Sequence, residues 1–98
     1  MKIFLDDVRD TPEGWVRCFW PDEVIEYLKT GEVEELSLDH DLGDDARGDG
    51  HDVLLWIEEM VATQGFVPPK ITIHSANAAA RVRMEAAIQS ILRYARER

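Results

Sequence analysis

Three short apolar runs in this chain each end abruptly in polar side chains, and that arrangement narrows the folds open to it more than any other feature. In "KIFLDD", Ile3 to Leu5 run into Asp6 and Asp7. "EELSLDHD" repeats the design, with Leu36 and Leu38 ahead of Asp39 and Asp41, and "KITIHSAN" repeats it again, with Ile71 and Ile73 leading into His74, Ser75 and Asn77. A buried strand that delivers residues to the edge of a sheet has this form. Helical patterns lie between the runs. The first opens with Pro21, Asp22 and Glu23, presents Val24, Ile25 and Leu28, and stops at Gly31. The second begins near His51, carries Val53, Leu54, Ile57, Met60 and Val61 at helical spacing, and ends at Gly65 before the extended Pro68 and Pro69. Asn77 caps a third, which buries Met84, Ile88, Ile91 and Ala95 on one stripe.

Strands alternating with helices predict an α/β fold: a small parallel sheet of flavodoxin-like order 2-1-3-4, with right-handed crossovers, no fifth strand, and helices on both faces. A fourth strand is expected at Val16 to Phe19. Only the irregular bridge from Val8 to Trp15, with Pro12 and Gly14, separates it from the first, which is short for a parallel connection. At 98 residues, 45% of them hydrophobic, the chain suits a single domain, residues 1–98, with one core.

In an open parallel sheet, the residues that follow consecutive strands converge at the carboxyl edge. This places Asp6 and Asp7 beside Asp39 and Asp41, with His74, Ser75 and Asn77 alongside. Crowded carboxylates raise one another's pKa unless a cation offsets their repulsion, and hard oxygen donors of this kind suit Mg²⁺ or Mn²⁺. Asp6, Asp7 and Asp39 are the expected metal ligands. A single Asp in such a loop commonly just caps a helix or stabilises a turn, and Asp44, Asp45 and Asp49 are read that way. His40 and His74 are candidate proton donors, while His51 is read as a helix-entry residue. Ser75, Asn77 and the helix that follows can hydrogen-bond phosphate oxygens. Arg9 and Arg81 are candidate anion clamps, Arg81 because a cation in a first helical turn makes sense if an anion sits above it. Arg83 is read as a solvated surface residue, and Trp15, Trp20 and Trp56 as packing.

Twenty acidic residues against eleven basic ones give a formal charge of −9, which repels nucleic-acid backbones unless basic residues gather into a patch. Duplex DNA is therefore not an expected partner. Cys18 alone cannot form an intramolecular disulfide, and no apolar stretch is long enough for a signal peptide or a membrane span, so the expected compartment is the cytoplasm.

The acidic pair after the first strand, the Asp ending the central strand and the hydroxyl in "HSA" resemble the receiver domains of two-component response regulators. More closely, "LDDVRDTP", "SLDHDLG" and "HSAN", in this order, resemble the divergent receiver-like family named for cyclic-phosphate processing. The resemblance spans nearly the whole chain. It implies a metal-dependent phosphoesterase or phosphotransfer enzyme acting on a cyclic phosphate of a nucleotide or an RNA end, with Asp39, Asp41, His40 and His74 as catalytic candidates. Receiver domains imply an alternative, in which Asp39 or Asp41 accepts a phosphoryl group for signalling and Ser75 matches the hydroxyl position.

Overall fold

The computed structural model describes residues 1–43 and 45–97. Four strands, β1 (Lys2–Leu5), β2 (Val16–Cys18), β3 (Glu35–Leu38) and β4 (Lys70–Ile73), form one sheet in the order β2-β1-β3-β4, every neighbouring pair parallel. Three helices, α1 (Pro21–Leu28), α2 (Gly50–Gln64) and α3 (Ala78–Arg96), alternate with β2, β3 and β4, and a 3-10 turn spans Asp45–Arg47. The expected strand order and the three helices are as observed. No helix among the described residues is long and apolar enough to cross a membrane.

Local chemistry sets the helix ends. The Glu23 carboxylate takes the N–H groups of Phe19 and Trp20, closing the entry to α1 behind Pro21. Asp49 caps α2 by accepting from the His51 and Asp52 N–H groups, and Gly65, at φ 70°, ends it in the left-handed conformation that glycine adopts without penalty. Asn77 accepts from Ala80 N–H to start α3. Asp49 thus has the capping role expected of it, whereas Asp44 lies outside the described residues.

The expectation of helices on both faces is not met. Register aligns Ile3, Leu36 and Ile71 on one face, with Leu5, Leu38 and Ile73 beside them, and aligns Arg17, Phe4, Ser37 and Thr72 on the other. The core joins the first set to Val24 and Leu28 of α1, Val53, Leu54, Ile57 and Val61 of α2, and Met84, Ala87 and Ile91 of α3. All three helices therefore cover a single face. The reason is topological: a right-handed crossover takes its side from the direction of travel across the sheet. β2→β3 and β3→β4 travel one way. Only β1→β2 travels the other, and its bridge, residues 6–15, carries no helix.

That bridge closes a parallel connection without a helix because side chains hold it down. Arg17 Nε donates to the Asp6 carbonyl at 3.2 Å and its Nη2 donates to the Arg9 carbonyl, while Trp15 N–H meets the Pro12 carbonyl across the turn at Gly14, φ 85°. β4 forms an open edge, which Pro68, Pro69 and the charged Lys70 protect from further pairing.

Candidate functional site

The carboxyl ends of β1, β3 and β4 bring Asp6, Asp39 and His74 together, as the strand-end patterns require. Asp6 is fully buried. Its Oδ1 accepts the N–H groups of Val8 (2.8 Å) and Arg9 (2.9 Å), and its Oδ2 accepts Arg9 Nη1 (3.0 Å) and His74 Nε2 (2.9 Å). A carboxylate offers about four acceptor positions, and these bonds fill them. Burial by itself raises the pKa of Asp6, but the hydrogen bonds from Arg9, Val8 and His74 outweigh it and hold the group down at about 2.

An ionised Asp6 only accepts, so His74 carries its hydrogen on Nε2. Burial lowers the pKa of His74 against the opposing pull of Asp6, which keeps the ring neutral and leaves Nδ1 bare. Nδ1 accepts the Ser37 hydroxyl at 2.7 Å, and the ring stacks on Phe4 with centroids 4.4 Å apart and planes within 5°. Both nitrogens of His74 are thus committed. It orients Asp6 and does not line the cleft described below, so the proton-donor role expected for it has no free N–H behind it.

Asp39 ends β3 almost buried. Its Oδ1 accepts the His40 N–H at 2.8 Å and its Oδ2 lies 3.5 Å from Arg9 Nη1. Burial first, and the charge of Asp6 second, raise its pKa in spite of the His40 bond and Arg9. Arg9 therefore lies between two carboxylates. The cation that offsets their repulsion is supplied by the chain itself, and the hydrogen bond to Asp6 strengthens the guanidinium's hold on its proton.

Beside this pair opens a cleft of about 390 Å³, walled by Asp7, Arg9, Asp39 and Asp41 together with Ser75 and Asn77 from the β4–α3 turn. The buried Ser75 Oγ accepts the Asn77 N–H at 3.1 Å and fixes the turn. Two candidates fall elsewhere. His40 sits between Asp41 (Nδ1 to Oδ1, 3.0 Å) and Asp49 (Nε2 to Oδ2, 3.2 Å), tying its loop to the start of α2. Arg81 pairs with Glu85 one turn along α3 at 3.4 Å. Neither lines the cleft.

Three positioning residues escape a reading of the sequence. Ser37 looks like one more strand residue in "LSL". Arg17 gives no sign that it pins the Asp6–Arg9 loop. Gly50 sits in "GDG", which suggests a flexible loop, yet its N–H donates to the His40 carbonyl at 3.1 Å, and a Cβ there would stand 1.8 Å from the Asp39 carbonyl oxygen. Helix α2 starts hard against the backbone of Asp39 because residue 50 has no side chain.

Hard divalent ions need oxygen atoms with lone pairs to spare. Asp6, Asp39 and His74 each bring a ligand atom within 4.8 Å of the others. However, Asp6 is saturated and His74 Nε2 is protonated, so an ion there would have to displace Arg9 and a hydrogen. Asp7, Asp39 and Asp41 line the cleft together and are the hard oxygen-donor type that Mg²⁺ or Mn²⁺ takes, although one oxygen each of Asp39 and Asp41 is already bonded to His40.

Compared with known families, residues 1–90 match the model of the cyclic-phosphate processing receiver domain. Neither the curated proteins nor the solved structures gave a match.

Proposed function

Because the chain belongs to the cyclic-phosphate processing receiver domain family, we propose that its carboxyl-edge cleft hydrolyses a cyclic phosphate ester, carried by a small nucleotide or an RNA end, with Asp7 and Asp39 holding Mg²⁺ or Mn²⁺. The observation that carries this reading is Arg9: a guanidinium fixed by Asp6 at the wall of a cleft that also presents Asp7, Asp39, Asp41, Ser75 and Asn77. Ser75, Asn77 and the first turn of α3 offer hydrogen bonds to the non-bridging oxygens. Arg9 stabilises the charge that develops on the phosphorus oxygens. Asp41, the cleft carboxylate not assigned to the ion, takes a proton from the attacking water. The water oxygen bonds to phosphorus as one ring P–O bond breaks, the proton taken from the water passes to the released ring oxygen, and a monoester leaves. The divalent ion, when bound, would supply Lewis-acid polarisation of the phosphate.

A second reading is supported by the burial of Asp39 at the end of the central strand, beside the Ser75 hydroxyl: receiver-type phosphoryl transfer to Asp39. One experiment separates the two. A panel of 2′,3′-cyclic nucleotides with and without Mg²⁺ or Mn²⁺ is followed for monoester product, while acetyl phosphate is offered in parallel and the protein is weighed by mass spectrometry. Metal-dependent monoester with no mass increase supports hydrolysis. A stable phosphoryl adduct with no turnover supports the receiver reading.

A further inference from the structure

With all three helices on one side, the other sheet face has no helical layer: Trp15 and the His74 ring bury Phe4 and Ser37 at its centre, while Lys70, Thr72 and Phe19 stay exposed, and what it carries departs from the rest of the molecule. Lys2, Arg17 and Lys70 project from this face with Glu35 as the opposing acid, in a chain whose formal charge is −9. Aromatic rings are interleaved with the cations. Trp15 meets Phe4 edge-on at 6.4 Å under Lys2 Nζ, 5.8 Å from its ring, and the exposed Phe19 lies 4.9 Å from the Arg17 guanidinium carbon. The charge of the whole chain repels nucleic-acid backbones unless basic residues gather, and three cations stand together here, Lys2 beside Glu35 at 3.9 Å, Arg17 bonded to the Asp6 and Arg9 carbonyls, and Lys70 exposed.

We propose that this open sheet face binds single-stranded RNA, stacking bases on Trp15 and Phe19 and drawing phosphates to Lys2, Arg17 and Lys70. Cations set among aromatic rings on a helix-free sheet face form a stacking platform with an electrostatic guide, which suits unpaired bases and leaves a duplex with nothing to stack. Charge argues against a second copy of the chain as the occupant, since a two-fold contact would set this cationic face against itself. The face is also continuous with the cleft. His74 stacks on Phe4 and bonds Asp6, and Arg17 holds the carbonyls of Asp6 and Arg9, so a strand lying on the sheet leads its end toward the carboxylates. The choice of RNA rests on the cyclic-phosphate reading above; the stacking platform does not.

The test uses a labelled ten-nucleotide oligouridylate ending in a 3′-hydroxyl, so that no cyclic phosphate is present, and follows its anisotropy over a salt series. Binding is expected to fall with salt at a log–log slope near −2, about 0.7 for each of three phosphate contacts. Phe19→Ala and Trp15→Ala each weaken it about tenfold, as loss of a stacked base does. Lys70→Glu weakens it and flattens the slope. All three variants are checked by circular dichroism, and Phe19 and Lys70 are exposed, so their replacement spares the core. No binding by the folded wild type, or affinity unchanged in Phe19→Ala and Lys70→Glu, overturns the proposal; so does a sedimenting dimer that Thr72→Glu dissociates. Turnover of a small cyclic nucleotide is unaffected by Phe19→Ala and Lys70→Glu. Turnover without RNA binding therefore refutes the sheet-face site alone, and RNA binding without turnover refutes the hydrolase alone.

Discussion

At the scale of single residues, the site is organised by Arg9. Carboxylates that repel one another are kept together because a guanidinium bonds one and lies beside the other, and this makes a definite statement about the metal. Arg9→Gln keeps much of the size and removes the charge. It should lower the melting temperature of the metal-free protein and enlarge the upward shift that Mg²⁺ produces by mass action. Asp7→Asn should abolish that shift, and Asp39→Asn should abolish it while raising metal-free stability at neutral pH, since a buried charge with a raised pKa is removed; thermal melts with and without chelator measure all three. Acid provides another check. Folding lowers the Asp6 pKa from 3.8 to about 2, so its ionised form contributes about 2 kcal/mol that is present above pH ~4 and lost as pH falls toward 2. His74, held below its ordinary value, adds a loss that begins below pH ~6.5, because the unfolded state takes the proton first. Asp39 acts in the opposite sense, since its protonation favours the folded state. Urea titrations across this range should show falling stability, and Asp6→Asn should flatten the lowest part.

Secondary-structure elements carry the site because two of them meet without a spacer. The start of α2 touches the end of β3 at Gly50, where a Cβ would lie 1.8 Å from the Asp39 carbonyl oxygen and 3.1 Å from Met84 Cε. Backbone cannot yield as a flexible side chain can. Gly50→Ala should cost roughly 1–3 kcal/mol as overpacking, and should shift the Asp39 and His40 amide resonances in a ¹H–¹⁵N spectrum more than those of α3. Strands and helices themselves were legible beforehand, because Ile3–Leu5 is an apolar run, because Ile71 and Ile73 alternate with Thr72, and because Gly31, Gly65 and Asn77 are stop and start signals written in single residues. Gly50 was not, since a glycine required by a neighbour's backbone looks the same in a sequence as one in a loose loop. His74 was legible as a site residue but not in its role: the two partners that occupy its nitrogens, Asp6 and Ser37, are 68 and 37 residues away in the chain.

For the whole molecule, the distribution of helices over the sheet sets what can be bound and where. Strand order could be read from the sequence, but the bare face could not be, although it follows from the missing helix between β1 and β2 once handedness is applied to each crossover. One sheet edge thereby carries carboxylates and Arg9, and one sheet face carries cations and aromatic rings, so the acidic average of the chain describes the edge and not the face. The proposal that the edge cleft performs phosphate-ester chemistry is tested most directly by a ³¹P NMR time course on 2′,3′-cyclic nucleotides with Mg²⁺ or Mn²⁺, run side by side on wild type, Arg9→Gln and Asp39→Asn. The expected result is conversion of the cyclic diester resonance to a monoester by the wild type, slowed about a hundredfold or more in each folded variant. Equal turnover in all three proteins, or no turnover by the wild type with either metal, would contradict it.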